Sequence, residues 1–231
     1  MKYADDTNLL VPCNTDVQID AEFDNIQTWA VANKMTINVA KTKEIVFRRP
    51  SARCTTVLPP MLPCIERVKS AKLLGVFITD NLKFGDHVNY VLQRSCQRLY
   101  LLKMLRCQGL SLHNLSIVCV ALLISRLTYA ISAWGGFCSA SDVGRINSFL
   151  KRVVKYGFLT ECSDFNSYLD QADLKLFKRM CHSDHCLHML LPALKPTVCQ
   201  KLRRRTHVYT LPKYRYELFK KSFVLRCLYN F

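Results

Sequence analysis

The chain has 231 residues, enough for one or two domains with a hydrophobic core, and half of its residues are apolar. With only seven glycines and eight prolines, this composition argues against a disordered chain and for a folded, helix-rich one. Lys and Arg number 33 against 17 Asp and Glu, and the net charge of +16 favours a polyanionic partner, either nucleic acid or an anionic membrane surface. The excess is greatest at the C-terminal end, where residues 201–231 carry nine basic side chains and one acidic side chain.

The cysteines and the apolar segments indicate the cellular compartment of the protein and whether it spans a membrane. Twelve cysteines occur without any Cys-x-x-Cys pair, and Met1-Lys2 leads directly into acidic residues, not into a signal sequence. We therefore expect an intracellular protein, nuclear or cytoplasmic and not secreted, with reduced and mostly buried cysteines; a disulfide framework is the alternative. The most apolar window, 115–134, contains Arg126, and its uninterrupted apolar part, 117–124, is too short to span a bilayer. A buried helix and no membrane partner are predicted.

The chain opens on Tyr-Ala-Asp-Asp at 3–6, followed by an apolar run that ends at Pro12. Apolar residues on both sides of a polar turn predict a β-hairpin with Asp5 and Asp6 in the turn. Adjacent carboxylates repel each other unless they share a cation, and hard oxygen ligands suit Mg²⁺. An acidic turn in solvent is the alternative, and the tetrapeptide alone does not distinguish the two.

The next segments mix helix and strand. A helix is predicted between an N-cap at Thr15 or Asp16 and a C-cap near Asn33. Its inward face is the apolar series Ile19, Phe23, Ile26 and Ala30. The segments that follow are predicted, in order, as strands over 35–38 and 43–47, a basic loop over 48–63 and β structure over 64–78.

The remainder is predicted to be helical. The expected helices span 86–109, 111–134, 141–156 and 163–191, with a final amphipathic helix over 218–228. Asp86 and Ser111 are the expected caps of the first two. The sequence thus predicts an α+β fold in three parts: a mixed part over 1–80, an all-helical part over 81–195 and a basic, aromatic tail over 196–231.

Several short motifs follow one another along the chain. They are Tyr-Ala-Asp-Asp at 3–6, a tryptophan-containing turn at 29–38, Asn-Val-Ala-Lys-Thr at 38–42, Leu-Leu-Gly-Val at 73–76, Leu-Lys-Phe-Gly-Asp-His at 82–87, Tyr-Ala-Ile-Ser-Ala-Trp-Gly at 129–135 and the basic tail at 202–226. The motifs and their order resemble the reverse transcriptases of non-long-terminal-repeat retrotransposons, in particular the jockey and CR1-like long interspersed elements. The resemblance covers essentially the whole chain.

This resemblance implies an RNA-directed DNA polymerase that acts on an RNA template and a DNA primer or target with two Mg²⁺ ions. It makes residues 1–80 a partial palm, in which Asp5 and Asp6 are the magnesium ligands. It matches Lys41 to a lysine near the incoming triphosphate, where a cation could neutralise charge or protonate the leaving pyrophosphate. A surface lysine after a strand is the alternative for Lys41.

The same resemblance makes Leu74, Gly75 and Val76 the primer grip and the helical part the thumb. A thumb follows the backbone of a duplex through cationic side chains without reading its sequence. The predicted nucleic-acid contacts are Arg94, Arg98, Lys151 and Arg152 on the helices, and Arg203, Arg204 and Arg205 in the tail. The tail interleaves basic and aromatic residues, which suits single-stranded nucleic acid; a nuclear-localisation run or a solvated tail is the alternative.

The family's palm has a third carboxylate on a strand before the Tyr-Ala-Asp-Asp hairpin, and this sequence starts two residues before that hairpin. We therefore expect the polypeptide alone not to polymerise and to need an N-terminal polymerase half. A non-catalytic nucleic-acid-binding module and a non-functional transposon relic are the alternatives. A primer-extension assay with Mg²⁺ or Mn²⁺ is expected to give no RNA-templated synthesis above that of an Asp5→Ala control; synthesis above this control would contradict the expectation.

A cluster of Cys and His side chains between 181 and 188 has the residue types and short spacing of a zinc site. On one continuous helix these side chains would lie on two faces, so two or three of them could share an ion. Cys181, His185 and Cys186 are the candidate ligands, and a metal-free helical segment is the alternative.

Overall fold

The structure is a computed structural model that describes residues 2–3, 6–12, 15–48, 58–195, 208–214 and 216–231. It divides into two compact units. The N-terminal unit is Met1–Lys72 with Thr79–Asn81, and the helical unit is Leu73–Ile78 with Leu82–Phe231. Helices and small two-stranded sheets are both present, so the predicted α+β class is confirmed.

The strands are short and form three two-stranded sheets in the described residues. They are β1 (Lys2–Tyr3), β2 (Asp6–Thr7), β3 (Lys43–Glu44), β4 (Glu66–Arg67), β5 (Ser70–Leu73) and β6 (Val76–Thr79). β1 and β2 are antiparallel, β3 and β4 are parallel, and β5 pairs with β6 as a hairpin. The predicted strand over 35–38 is wrong: these residues are described and form none, because Asn38 instead begins a 3₁₀ turn over Val39–Lys41.

The helix α1 (Ile19–Ala32) confirms the predicted helix but begins later. Neither Thr15 nor Asp16 caps it: the N-cap is Gln18, and the Thr15 hydroxyl accepts a hydrogen bond from the Val17 N–H (3.3 Å) in a local turn. Asn33 is the C-cap, as predicted. The predicted inward face is the less exposed one, with Ala30 buried and Ile19, Phe23 and Ile26 half-buried.

A buried ion pair joins β3 to β4. Arg67 donates two hydrogen bonds to the Glu44 carboxylate (3.1 and 2.8 Å), and Glu44 is 7% exposed. Arg67 also donates to the carbonyls of Pro59 (2.9 Å) and Pro60 (2.8 Å). The guanidinium therefore anchors the start of the described segment before β4 to the small parallel sheet.

The helical unit contains most of the regular structure. Its elements are α2 (Gly85–Cys107), α3 (Leu112–Cys119), a π-helical turn (Val120–Ile124), α4 (Ser125–Leu127), α5 (Ile131–Trp134), α6 (Ala140–Lys155), α7 (Phe165–Met180), α8 (Glu217–Lys220) and α9 (Phe223–Asn230). The predicted helices over 86–109 and 141–156 are confirmed by α2 and α6. Asp86, however, is not a cap: the N-cap of α2 is Phe84, and Asp86 lies in the first turn, where a carboxylate suits the helix dipole.

The single long helix predicted over 111–134 is wrong. Ser111 caps α3 as predicted, but the helix widens into the π turn and breaks at Ala130, whose φ is 50°. Among the described residues, one helical stretch, Leu112–Phe137, has the length and composition of a membrane span. The predicted burial applies to one face of it, which lies in the main core and consists of Leu115, Cys119, Leu123, Leu127, Ile131 and Trp134.

The helix predicted over 163–191 is wrong beyond Met180, where α7 ends. A ring nitrogen of His188 forms a hydrogen bond with the Met180 carbonyl (3.0 Å), so a side chain satisfies this helix-end carbonyl instead of a further helical turn. Turns and a short 3₁₀ helix over His188–Leu190 follow. The predicted final amphipathic helix is two helices, and α9 packs on α7 through Phe177, Cys227 and Leu228.

The nine described cysteines are free thiols, but the prediction that they are mostly buried is wrong. Only Cys119 and Cys227 are buried, and four others are exposed: Cys64, Cys96, Cys107 and Cys186. Burial raises the pKa of Cys119 to about 11 and that of Cys227 to about 12. These two thiols are therefore unreactive in the folded protein.

Candidate active site and nucleic-acid surface

The acidic motif at the start of the chain forms a hairpin. Lys2 pairs with Thr7 and Tyr3 with Asp6, so β1 and β2 are antiparallel neighbours. Asp6 thus begins the second strand instead of lying in the turn, and its side chain is exposed. Asp5 lies outside the described residues. The Asp6 carboxylate is therefore open to a cation from solvent.

The donor chemistry at this hairpin suits Mg²⁺, because Asp6 supplies a hard carboxylate oxygen. Within the parts of the chain that the structure describes, no three His, Cys, Asp or Glu side chains are close enough to share one ion. Asp6 is thus the one described member of the predicted pair, and Asp5 as its companion ligand stays a prediction.

The Asn-Val-Ala-Lys-Thr motif is a capped turn. The Asn38 side chain accepts a hydrogen bond from the Lys41 N–H (3.1 Å), and the Thr42 hydroxyl donates to the Asn38 carbonyl (2.9 Å). Both ends of the motif therefore stabilise the 3₁₀ turn, and the Lys41 side chain is exposed on it. This arrangement explains why the sequence needs Asn and Thr on either side of Lys41, and it leaves the ammonium group free to meet an anionic ligand.

The predicted primer grip is the tip of the β5–β6 hairpin. Leu74 and Gly75 occupy the turn with φ values of 46° and 89°, and Leu74 is 43% exposed. Val76 is buried in the core of the helical unit, so its side chain cannot touch a ligand. Of the three predicted residues, Leu74 and Gly75 are therefore the ones that can contact nucleic acid.

The Tyr-Ala-Ile-Ser-Ala-Trp-Gly motif contacts this tip. The Tyr129 hydroxyl donates to the Leu74 carbonyl (3.0 Å), while the fully buried Trp134 donates through Nε1 to the Tyr129 carbonyl (2.9 Å). The His87 ring lies edge-on to Trp134 at 4.8 Å, and its Nδ1 accepts from the Phe77 N–H (3.3 Å). The motif at 82–87 therefore contacts the indole of the motif at 129–135, and the Tyr129 hydroxyl connects the second of these to the motif at 73–76.

Arg94 and Arg98, two of the predicted cationic contacts, differ in their surroundings on α2. Arg94 is exposed, and its guanidinium lies 5.7 Å from the centre of the Tyr90 ring. Arg126 lies 5.6 Å from the same ring. Arg98 is half-buried and donates to the Leu122 carbonyl (2.9 Å) in the π-helical turn, so one of its donors supports the fold. Arg94 is thus the more accessible of the two for a phosphate.

A group of cations in the described part of the chain lies where α2 packs against α6, and we call it the Tyr156 patch. Its members are Lys103, Arg106, Lys151, Arg152, Lys155 and Tyr156. Lys103 Nζ is 4.0 Å from the centre of the Tyr156 ring, and Arg106 donates to the Tyr156 carbonyl (2.7 Å). Lys151, Arg152 and Lys155 line a shallow depression of about 310 Å³ beside Tyr156. Two helices thus present cations around one aromatic ring.

The charge around this patch is not balanced locally. Residues 87–160 contain nine Lys and Arg but a single acidic residue, Asp142, near the N-terminal end of α6. The predicted cations Lys151 and Arg152 belong to the patch and are exposed, whereas Arg203, Arg204 and Arg205 lie outside the described residues. The surface has the positive potential that attracts a polyanion.

Sequence reasoning missed Lys103, Arg106 and Lys155 as site residues. The three-residue spacing of Lys103 and Arg106 places them on one side of α2, and the four-residue spacing of Lys151 and Lys155 does the same on α6. That signal was present in the sequence. The meeting of the two faces at Tyr156 was not, because it depends on how the helices pack.

The structure does not bring the candidate zinc ligands together. The predicted helix is replaced here by turns, and Cys181, His185 and Cys186 form no three-member metal group among the described side chains. The His185 ring accepts from the Leu187 N–H (3.2 Å), which gives it a local structural partner. Zinc binding at this cluster stays a prediction without support from the geometry.

Comparisons of the chain with protein-family models, with curated proteins and with solved structures found no match.

Proposed function

We propose that this chain provides the palm hairpin and the thumb of an RNA-directed DNA polymerase of the non-long-terminal-repeat retrotransposon kind. On this proposal the helical unit binds the backbone of an RNA–DNA duplex through the Tyr156 patch. Asp5 and Asp6 hold Mg²⁺, which when bound stabilises the attacking and leaving oxygens of nucleotidyl transfer. Lys41 neutralises charge on the incoming triphosphate.

The observation that carries the proposal is the Tyr156 patch. Its cations come from two helices, and residues 87–160 around them contain one acidic residue. Lys103 is half-buried, whereas the other four are exposed: Arg106, Lys151, Arg152 and Lys155. Contacts of this kind to phosphates fix a duplex in place without reading its sequence, which is what a template-copying enzyme requires. The contact between the Leu74 turn and Tyr129 adds support for the family, because it gives two of the resembling motifs a shared physical role.

The proposal is tested by titrating the full chain into a fluorescent RNA–DNA duplex at several salt concentrations. If three to five patch cations each neutralise a phosphate, log Kd should rise with log salt with a slope of roughly 3 to 5. Binding should be retained on duplexes of unrelated sequence. Absence of duplex binding at low salt, or a slope near zero, would contradict the proposal.

The same samples separate a catalytic chain from a binding module. Duplex binding accompanied by RNA-templated extension above an Asp5→Ala control supports nucleotidyl transfer by this hairpin. Duplex binding without extension matches the behaviour that the sequence predicts for the polypeptide alone.

A further inference from the structure

Large apolar side chains are exposed on two neighbouring helical segments of the helical unit. They are 43% to 62% exposed and belong to α2 or to α3 and the π-helical turn after it: Tyr100, Leu101, Met104, Ile117 and Val120. We call these five side chains the α2–α3 face. A soluble monomer seldom exposes adjoining apolar side chains of this size without a partner for them.

The pairing of the two helices places these side chains next to each other. Arg98 on α2 donates to the carbonyl of Leu122, 24 residues later, across the short connection at 108–111. The helices therefore run antiparallel, and each step forward along α2 corresponds to a step back along α3. By this register Leu101 lies level with position 119 and Met104 with position 116. Leu101 is thus beside Val120, and Met104 is beside Ile117.

The opposite sides of the same helices are buried. Leu99 and Leu102 of α2 and Leu115 and Cys119 of α3 lie in one core, and the two helices pack on each other. Because the buried sides point into the same core, the solvent sides of the two helices adjoin. The α2–α3 face is therefore a broad surface that spans two helices, and not a set of isolated exposed residues.

The charges around this face all have one sign. Residues 87–141 contain five Lys and Arg side chains and no Asp or Glu. Two of these cations, Lys103 and Arg106, follow Tyr100 at successive three-residue steps along α2, so they lie along one margin of the face. The surface combines exposed apolar side chains with a cationic edge.

This combination selects the class of partner. A second copy of the chain would bring two cationic margins together, and a nucleic-acid backbone would neutralise the cations but leave the apolar side chains in water. An anionic lipid bilayer satisfies both groups, because acyl chains cover apolar side chains and acidic headgroups attract Lys and Arg. A tyrosine at the edge of the apolar side chains suits the headgroup level of such a bilayer.

We propose that the α2–α3 face binds peripherally to an anionic lipid bilayer. The apolar side chains insert among the acyl chains, while Lys103 and Arg106 meet the headgroups. The contact is peripheral and not a span, since the other side of α3 lies in the protein core. The sequence predicted no membrane partner because its apolar part is too short to span, and a contact through one helical face needs no span. The inference goes beyond the proposed function and does not depend on it.

Vesicle co-sedimentation of the full chain tests this inference. The two kinds of vesicle are pure phosphatidylcholine and phosphatidylcholine with about one third phosphatidylserine, whose charge attracts cations. The wild type should bind the anionic vesicles roughly tenfold more tightly than the neutral ones. Leu101→Gln/Ile117→Gln, with one substitution on each helix, should weaken binding to anionic vesicles by about tenfold or more, because it removes apolar area that the bilayer would bury.

The matched control is Met189→Gln/Leu190→Gln. It also replaces two exposed apolar side chains of the helical unit, but they lie in the 3₁₀ helix after α7 and outside the α2–α3 face. The control should bind anionic vesicles like the wild type. All four substituted side chains are exposed, so both variants should keep the melting temperature of the wild type within a few degrees.

Each remaining outcome overturns the inference. These are equal binding of the wild type to both kinds of vesicle, or equal binding of Leu101→Gln/Ile117→Gln and its control to anionic vesicles. A dimer in light scattering that Leu101→Gln/Ile117→Gln dissociates would assign the face to a second copy instead. Lowered affinity of this variant for an RNA–DNA duplex, with vesicle binding retained, would assign it to nucleic acid. If the wild type binds vesicles but no duplex, the proposed function is wrong and the inference stands.

Discussion

Arg226→Met is expected to lower the free energy of unfolding of the helical unit by about 3–5 kcal/mol, because it leaves a buried carboxylate without its partner. Arg226 in α9 donates from Nε and Nη2 to the two carboxylate oxygens of Asp173 in α7 (2.6 and 3.1 Å). Asp173 is 1% exposed, so water cannot replace the guanidinium without opening the packing of the two helices.

The same guanidinium also satisfies backbone groups. It donates to the Lys221 carbonyl (2.6 Å) and to the Ser132 carbonyl in α5 (2.9 Å). A Cβ placed on Gly136 would lie 1.8 Å from Nη1 of Arg226. The residue that follows the motif at 129–135 therefore has to be glycine for the Arg226 side chain to fit. Arg226 thus ties the C-terminal helix to two earlier parts of the helical unit.

Urea unfolding followed by tryptophan fluorescence measures this effect. The chain has two tryptophans: Trp134 is buried in the helical unit and Trp29 lies in the N-terminal unit, so a Trp29→Phe background reports on the helical unit alone. The double variant Asp173→Leu/Arg226→Met should recover most of the loss, because no buried charge is left unpaired.

The matched control is Arg145→Met on α6, which removes a partly exposed pair with Asp142 (3.4 Å) and a hydrogen bond to the Asn89 side chain (2.6 Å) at the surface. It should cost less than about 1 kcal/mol, as surface ion pairs do. If Arg226→Met costs no more than this control, the buried pair does not stabilise the C-terminal helix.

Cys227 gives a second readout of the same pair. Burial, followed by the charge of Asp173, raises its pKa to about 12, so almost no thiolate exists at neutral pH. Alkylation at Cys227 should therefore be slow in the wild type. Arg226→Met removes a charge that lowers the pKa of this thiol, so the faster alkylation expected in this variant comes from opening of the packing between α7 and α9 and not from a more acidic thiol. The exposed Cys107 should react at the same rate in both proteins. Peptide mapping by mass spectrometry distinguishes the two sites.

Local patterns in the sequence predicted the amphipathic helices well. α6 agrees with its predicted bounds because its apolar series, with Ile146 and Val153 among its members, fits a single helical period and is buried. Asn33 was recognisable as a C-cap, and Ser111 as an N-cap, because their side chains act on neighbouring backbone groups. These features depend on interactions within a few residues.

The helix predictions that were wrong depend on groups that the local pattern does not include. α7 ends at Met180, whose carbonyl is bonded by the His188 ring eight residues later. The predicted helix over 111–134 breaks at Ala130, next to Tyr129, whose hydroxyl binds the Leu74 carbonyl 55 residues earlier. In the site, the exposure of Lys41, Lys151 and Arg152 was predictable from their helical or turn positions. The grouping of cations around Tyr156 was not, since no local signal encodes the packing of α2 on α6.

The double variant Lys151→Glu/Arg152→Glu is expected to weaken binding to an RNA–DNA duplex by about 100-fold at low salt, because it turns two attractive charges of the Tyr156 patch into repulsive ones. Loss of two phosphate contacts should also reduce the salt slope by about 2. Both side chains are exposed on α6 and their charges face solvent, so the melting temperature should stay within a few degrees of the wild type. Fluorescence anisotropy across a salt series measures affinity and slope together.

The control for this prediction is Lys175→Glu/Lys178→Glu on α7. This variant changes the net charge by the same amount as Lys151→Glu/Arg152→Glu. Its two lysines are exposed on a helix of the same unit and lie outside the Tyr156 patch. If the patch binds the duplex, the control should lose far less affinity and keep its salt slope, because each contacted phosphate releases its own counterions. Equal losses in the two variants would instead mean that the overall charge of +16 attracts the duplex and that the Tyr156 patch is not its binding site.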